Sequence, residues 1–235
     1  MKYSVIIPFK DEEENVEPLI IELEGAMLAL QEPFEVLAID DGSRDDTLTV
    51  LKRLKVERPW LKILKFEKNF GQSSAFDAGF KAAKGEFVLT LDGDGQNDPA
   101  DIEKLIQHLG DADLVCGWRK ARKDPASKKI ISRIANYIRS RLCEDGVHDT
   151  GCSLKLYRRS SLNRIKLFCG MHRFLPALFL IEGFKVKEVP VNHRERTRGK
   201  TKYHLFNRSL NTLVDLWAVR WMKKRQLAWK VEEEL

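Results

Sequence analysis

Five short apolar runs, each followed by a stretch of helical spacing, constrain this chain more than any other feature. Ser4–Pro8, Phe34–Ile39, Leu61–Phe66, Phe87–Leu91 and Asp113–Cys116 have strand length and are rich in β-branched and aromatic residues. After the first, Val16, Leu19, Ile20, Leu23, Met27 and Leu30 recur at helical intervals, with Asn15 as the expected cap. Leu48, Leu51 and Leu54 mark a helix over about 45–57, Gln72–Ala83 reads as a small-residue helix suited to close packing, and Pro99 opens another. Such βα alternation predicts an α/β fold with a mainly parallel open sheet and helices on both faces. Ligands of these sheets bind beyond the carboxyl ends of the strands. Three acidic loops, Lys10–Glu14, Asp40–Asp46 and Asp92–Asp98, follow strands directly, so parallel strands would gather them at one edge.

Charge divides the chain in the same way. Residues 1–117 carry 13 Lys/Arg against 24 Asp/Glu, a net of −11, and residues 118–235 carry 28 against 11, a net of +17. An acidic half suits a cation; a basic half suits phosphate, nucleic acid or an anionic membrane. In the second half, Ile130, Ile131, Ile134, Tyr137, Ile138 and Leu142 form a helical stripe, and Cys152–Tyr157 and Phe184–Val191 read as strands. The segment 192–203 is polar, basic and loop-like. Phe206, Leu210, Leu213, Val214, Trp217 and Trp221 form a last stripe before Lys223-Lys224-Arg225. The apolar runs fall short of the ~20 residues of a membrane-spanning helix, and the N-terminus passes from a strand into acids, unlike a signal peptide. Four cysteines without a CxxC pair predict reduced thiols rather than a zinc site or disulfide framework.

Asp92-Gly-Asp94-Gly-Gln96 is the sharpest motif. Carboxylates two apart in a turn just past a strand can share one hard cation, Mg²⁺ or Mn²⁺, together with phosphate oxygens. An Asp/Gly-rich surface turn would use the same residues. Asp40-Asp41-Gly42-Ser43 fits either a carboxylate on a ribose or base, or a helix cap. A G-x-G-x-x-G is absent, which argues against a dinucleotide, and no strand leads into Gly199-Lys200-Thr201, which argues against a P-loop. Lys128, Lys129, Ser132 and Arg133 occupy about one helical turn, suited to a phosphate or to a solvated basic face. Arg196, Arg198, Lys200 and Lys202 flank Gly199 in a basic loop able to close on a diphosphate. The Trp217/Trp221 helix fits a membrane interface or packing on the domain, and its charges forbid a cheap crossing.

These motifs resemble those of family 2 glycosyltransferases of the GT-A (Rossmann-like) fold: Val5-Ile-Ile-Pro8, Asp40-Asp-Gly-Ser-Arg-Asp-Asp-Thr47, Asn69-Phe-Gly-Gln72 and Asp92-Gly-Asp-Gly-Gln-Asn-Asp-Pro99. Gly117-Trp-Arg119, Asp149-Thr-Gly-Cys-Ser-Leu-Lys155, His172-Arg-Phe-Leu-Pro176 and Arg196-Thr-Arg-Gly-Lys-Thr-Lys-Tyr203 resemble the narrower dolichyl-phosphate mannose synthase and bactoprenol glucosyltransferase branch. The resemblance implies that Pro8, Phe9, Glu12 and Asp40 hold the nucleotide and that Asp92, Asp94 and Gln96 hold Mg²⁺ or Mn²⁺ on the donor diphosphate. Arg119 would meet the sugar or acceptor phosphate. Lys128, Ser132 and Arg133 would bind the lipid phosphate, and Arg196, Thr201 and Lys202 would close the site. Residues 1–203 would form the transferase domain, divided at 117/118 into donor and acceptor halves, and 204–235 an amphipathic, interfacial C-terminal helical region.

The implied reaction moves a sugar, with inversion, from a nucleoside diphosphate sugar to a polyprenyl (undecaprenyl- or dolichyl-type) phosphate at the cytoplasmic membrane face. Peripheral contact would come through the C-terminal helix. Many relatives continue into membrane-spanning helices where this sequence stops at Leu235, an expectation of interfacial attachment or a separate membrane subunit. A second reading is transfer to a sugar hydroxyl with Asp149 as base. A third is nucleic-acid binding by the basic half, disfavoured because aromatic residues are not interleaved with the cations. A nucleotide binder without catalysis is the fourth, disfavoured by the intact carboxylate pair.

Overall fold

The computed structural model describes residues 1–120, 139–143, 145–196 and 209–227. Lys128, Ser132, Arg133, Thr201 and Lys202 lie outside the described residues. Among the described residues seven strands form one sheet: β1 (Tyr3–Phe9), β2 (Phe34–Asp40), β3 (Leu61–Lys65), β4 (Phe87–Thr90), β5 (Leu114–Trp118), β6 (Lys155–Arg158) and β7 (Val186–Pro190), in the order β3-β2-β1-β4-β6-β5-β7. The pairs β1/β2, β1/β4, β2/β3 and β5/β7 are parallel. β6 alone runs antiparallel, to β4 and to β5, with Thr90 and Cys116 both opposite Lys155. The first residue of β6 therefore lies at the edge where its neighbours end.

Helices cover both faces. β1 turns Val5, Ile7 and Phe9 to one face and Ile6 to the other, and β2 divides Val36 and Ala38 from Leu37 and Ile39 in the same way. On the first face pack α1 (Glu13–Ala29), α2 (Thr47–Val56) and α4 (Ile102–Gln107), through Leu19, Leu23, Leu51 and Leu105. The second face receives α3 (Gln72–Ala82), α5 (Arg159–Leu162) and α6 (Leu175–Ile181), through Phe76, Phe80, Leu162 and Phe179. Burial on both faces explains why these strands read as continuous apolar runs. Gly79 lets α3 lie close on the sheet, since a Cβ there would meet Ile6 Cγ2 at 2.4 Å.

Helix ends depart from expectation. α1 begins two residues before Asn15, which is buried and donates from Nδ2 to Glu12 Oε2 at 2.6 Å rather than capping. Pro99 opens a 3₁₀ turn (Pro99–Asp101) that runs into α4, capped by Asp98, which accepts from the Ala100 N–H. The last helix, α7 (Ser209–Lys224), buries Leu216 and Val219 against α6 and the 3₁₀ turn Met171–Arg173. Of the predicted stripe, Leu213, Val214, Trp217 and Trp221 face outward, and Phe206 lies outside the described residues. Among the described residues no helix is long and apolar enough to cross a membrane. All four cysteines are unpaired.

Candidate active site

The three acidic loops meet at the carboxyl edge of the sheet, and short bonds tie the first two together. The Asp11 N–H donates to Ser43 Oγ at 3.0 Å, Glu12 N–H to Thr47 Oγ1 at 2.8 Å, and Arg44 N–H to Asp11 Oδ1 at 2.7 Å. Asp40 is buried. Its Oδ1 accepts from the Ser43 N–H at 3.1 Å, while Oδ2 is buried without a hydrogen-bond partner. A buried orphan oxygen is costly unless a ligand supplies a donor. Asp41 instead fixes the loop before α3, accepting from the N–H groups of Phe70 and Gly71 at 2.7 and 2.9 Å. Burial still raises its carboxyl above the ordinary value. Gly42 (φ +67) crosses this loop so closely that a Cβ would lie 2.5 Å from the Lys68 carbonyl carbon.

Asp92 and Asp94 stand past β4 in the same mouth. Burial, then the charge of Asp94, push the Asp92 carboxyl up to about 6, against the pull of a Ser153 hydrogen bond, Arg119 and Lys155. Gln72 Nε2 donates to Asp92 Oδ1 at 2.8 Å. Gly93 passes directly over β1: a Cβ would lie 2.7 Å from the Pro8 carbonyl oxygen and 2.6 Å from Phe9 Cδ1. Pro8 and the fully buried Phe9 thus form the floor under the carboxylate loop. The Gln96 N–H donates to Asp94 Oδ1 at 3.1 Å, and its side-chain Nε2 to the Arg194 carbonyl at 3.4 Å.

Cations reach this mouth from the later strands. Arg119 follows β5 and pairs bidentately with Asp149, Nε to Oδ2 at 2.7 Å and Nη2 to Oδ1 at 2.9 Å. Burial alone would lower the Arg119 guanidinium; the bonds to Asp149 outweigh it and hold it above its ordinary value. Lys155 is buried and donates to the carbonyls of Cys152 and Thr150. The segment after β7 lies over the carboxylate loop: Arg194 N–H donates to the Gln96 carbonyl at 3.0 Å, and Arg194 also bridges Glu22 (2.5 Å) and Asp98 (2.8 Å). Arg196 then enters the mouth, its Nη2 3.0 Å from Asp94 Oδ2 and 3.3 Å from Glu12 Oε1.

Glu12, Asp40, Asp92, Asp94, Arg119 and Arg196, each expected from the motifs, thus share one edge. The motifs missed Gln72 as a partner of Asp92, the cation of Lys155, and the Arg194 anchor. Gln72 stands inside the Asn69–Gln72 motif and Lys155 ends another, so position was the available signal.

Two acidic side chains close enough to raise one carboxyl, with only oxygen donors, fit a divalent cation that takes its remaining ligands from phosphate and water. Among the described residues no cluster of three His, Cys, Asp or Glu is arranged to hold a metal by itself.

A family model described as Glycosyl transferase family 2 matches residues 4–166. The chain belongs to that family. It is 38% identical over 225 residues to the dodecaprenyl-phosphate galacturonate synthase of Rhizobium johnstonii, covering 93% of this chain and 66% of that protein. To the undecaprenyl-phosphate 4-deoxy-4-formamido-L-arabinose transferase of Pseudomonas aeruginosa it is 35% identical over 218 residues, covering 91% and 63%. The chain therefore spans slightly less than two thirds of both relatives. Among solved structures it is similar to the mannosyltransferase PcManGT from Pyrobaculum calidifontis in complex with GDP-Man and Mn²⁺ (TM-score 0.67, 20% identity, 92% of this chain and 63% of that one). It is also similar to S. aureus TarS 1-349 in complex with UDP-GlcNAc (TM-score 0.62, 20% identity, 94% and 66%). At such identity these likenesses carry the GT-A fold alone.

Proposed function

We propose that this family 2 chain transfers a sugar from a nucleoside diphosphate sugar to a polyprenyl phosphate, with inversion, on the membrane surface. The observation that carries the reading is Arg196, reaching from beyond β7 to both Glu12 and Asp94. A basic strap seated on an acidic mouth is built for a ligand that is itself an anion held by a cation. Support for the acceptor comes from the relatives, whose names specify dodecaprenyl phosphate and undecaprenyl phosphate.

In this mechanism Asp40, with its orphan Oδ2, and Glu12 bind the nucleotide, over the floor made by Pro8 and Phe9. Asp92 and Asp94, with Gln96 beside them, hold Mg²⁺ or Mn²⁺. When bound, that ion neutralises the donor diphosphate and eases its departure. Arg196, with Lys202 six residues on in the sequence, balances charge developing on the leaving group. Arg119 orients the incoming phosphate. Lys128, Ser132 and Arg133 bind the same acceptor phosphate; they belong to the stretch that leaves the sheet at Trp118 and rejoins it at Lys155, both at the mouth. The acceptor is already anionic near neutral pH, so positioning matters more than a general base. Asp149 directs both oxygens to Arg119, which disfavours it as the base for transfer to a sugar hydroxyl. The outward ridge of α7 rests in the membrane interface, and 204–235 act as an attachment region on the cytoplasmic face, alone or beside a membrane subunit.

The test is a donor screen. Protein, Mn²⁺, a panel of UDP- and GDP-sugars and a short polyprenyl phosphate are incubated, and the lipid product is weighed by mass spectrometry. Asp94→Asn is expected to abolish transfer with the fold retained; metal-independent turnover by that variant would refute the role. Lys128→Ala with Ser132→Ala is expected to raise the acceptor KM more than the donor KM, and an unchanged acceptor KM would remove those residues from the acceptor site.

A further inference from the structure

We propose that Glu188 is a positioning residue for Arg119, holding the backbone of His148 and Asp149 so that Asp149 presents both oxygens to the guanidinium. Glu188 stands on β7 with its side chain 12% exposed, although an edge-strand carboxylate could be solvated at no cost. Its oxygens gather a compact set of donors from the other side of the edge. Oε1 accepts from the N–H groups of His148 (2.9 Å) and Asp149 (3.1 Å). Oε2 shares the His148 N–H at 2.9 Å and lies 2.8 Å from His148 Nδ1. The His148 ring is also stacked on Trp118, with centroids 4.5 Å apart and planes 18° apart.

Two consecutive backbone N–H groups on one carboxylate fix the direction of the chain between them. That direction decides where the Asp149 side chain points, and Asp149 accepts from the Arg119 N–H (3.3 Å) as well as from Nε and Nη2. β7 thus grips residues 148–149, residue 149 grips Arg119, and Trp118, next to Arg119, carries the imidazole between them. The β5/β7 register places Cys116 opposite Glu188, one strand-face step below Trp118, which sets the reach. Glu188 itself touches no reacting group. Its consequence for turnover rests on the reading of Arg119 given above; the clamp can be tested without it.

The experiment uses the full chain labelled with ¹⁵N-arginine. The Arg119 Nε–H resonance, assigned by its loss in R119K, is expected to exchange slowly with solvent because it is bonded to Asp149. In Glu188→Ala it should exchange at least ~10-fold faster, whereas Glu188→Gln, which keeps an oxygen for the two N–H groups, should restore slow exchange. Should Glu188→Ala not fold, Glu188→Asp, too short to reach both N–H groups, takes its place. An unchanged Arg119 resonance in the Ala or Asp variant, or a Gln variant as disturbed as the Ala variant, overturns the clamp. With the donor panel, Mn²⁺ and undecaprenyl phosphate, Glu188→Ala should lower kcat while leaving donor KM within about two-fold, and should add nothing in an R119K background. Additive losses overturn the route through Arg119. If the wild type turns over no donor, the functional reading falls and the resonance still decides the clamp.

Discussion

Asp92 and Asp94 repel one another across a single glycine, and that repulsion has a sign that can be measured. The Asp92 carboxyl is raised to about 6 in the folded chain, by burial and then by Asp94, against an ordinary value of about 3.9 when unfolded. Between those values the folded state binds more protons than the unfolded one, so stability falls as pH rises from about 4 to about 6 and stays lower above. Asp92→Asn removes that cost. Its stability in EDTA should exceed wild type at pH 7.5, by on the order of 3 kcal/mol, read as a higher Tm, with the difference shrinking toward pH 4; an equal difference at both would sink the assignment. Gly93 gives a second prediction. Alanine there must push the loop off Pro8 and Phe9, at a cost of roughly 1–3 kcal/mol, so Gly93→Ala should lower Tm and weaken Mn²⁺-dependent binding of the nucleotide that the donor screen selects, measured by calorimetry. Sequence made the carboxylates legible because they sit beside one another in the chain. It did not make Arg194 or Glu188 legible, because their partners lie far off in the chain; Lys155, which ends the Asp149–Lys155 motif, was marked by position alone.

Among the elements, α7 separates burial from exposure most sharply. Leu216 and Val219 close a small core with Phe174 and Leu178, while Trp217 and Trp221 remain 67% and 51% exposed. Both sides of the helix are apolar, so periodicity found the Trp side and could not say which side the domain takes. The two sides should respond differently. Leu216→Ala should destabilise by about 2 kcal/mol or more, read as a lower Tm. Trp217→Ser with Trp221→Ser should leave Tm within about a degree, because surface changes shift stability little, and should reduce co-sedimentation with anionic liposomes. Retained liposome binding by the double variant would remove α7 from the membrane contact. The earlier strands and helices were legible nearly to their ends because two-sided burial writes a continuous apolar run. The start of α1 was not, since Asn15 looks like a cap and instead turns inward to Glu12.

Taken as one molecule, the chain sets a half of net −11 against a half of net +17. If the basic half meets a negatively charged leaflet, vesicle affinity should fall steeply as salt rises from about 0.05 to 0.5 M, while nucleotide binding in the buried mouth changes little; equal salt dependence of both would contradict this division. The βα alternation made the parallel sheet legible, but the reversal of β6 left no trace in local composition. That reversal has a consequence for how such a protein can diversify. Because β5 exits and β6 enters at the same rim, everything from residue 119 to residue 154 is a detour with both feet on one threshold. The middle of such a detour can lengthen, shorten or change its chemistry without shifting the register of any strand, while its two ends stay held, Arg119 by Asp149 and Ser153 by Asn97.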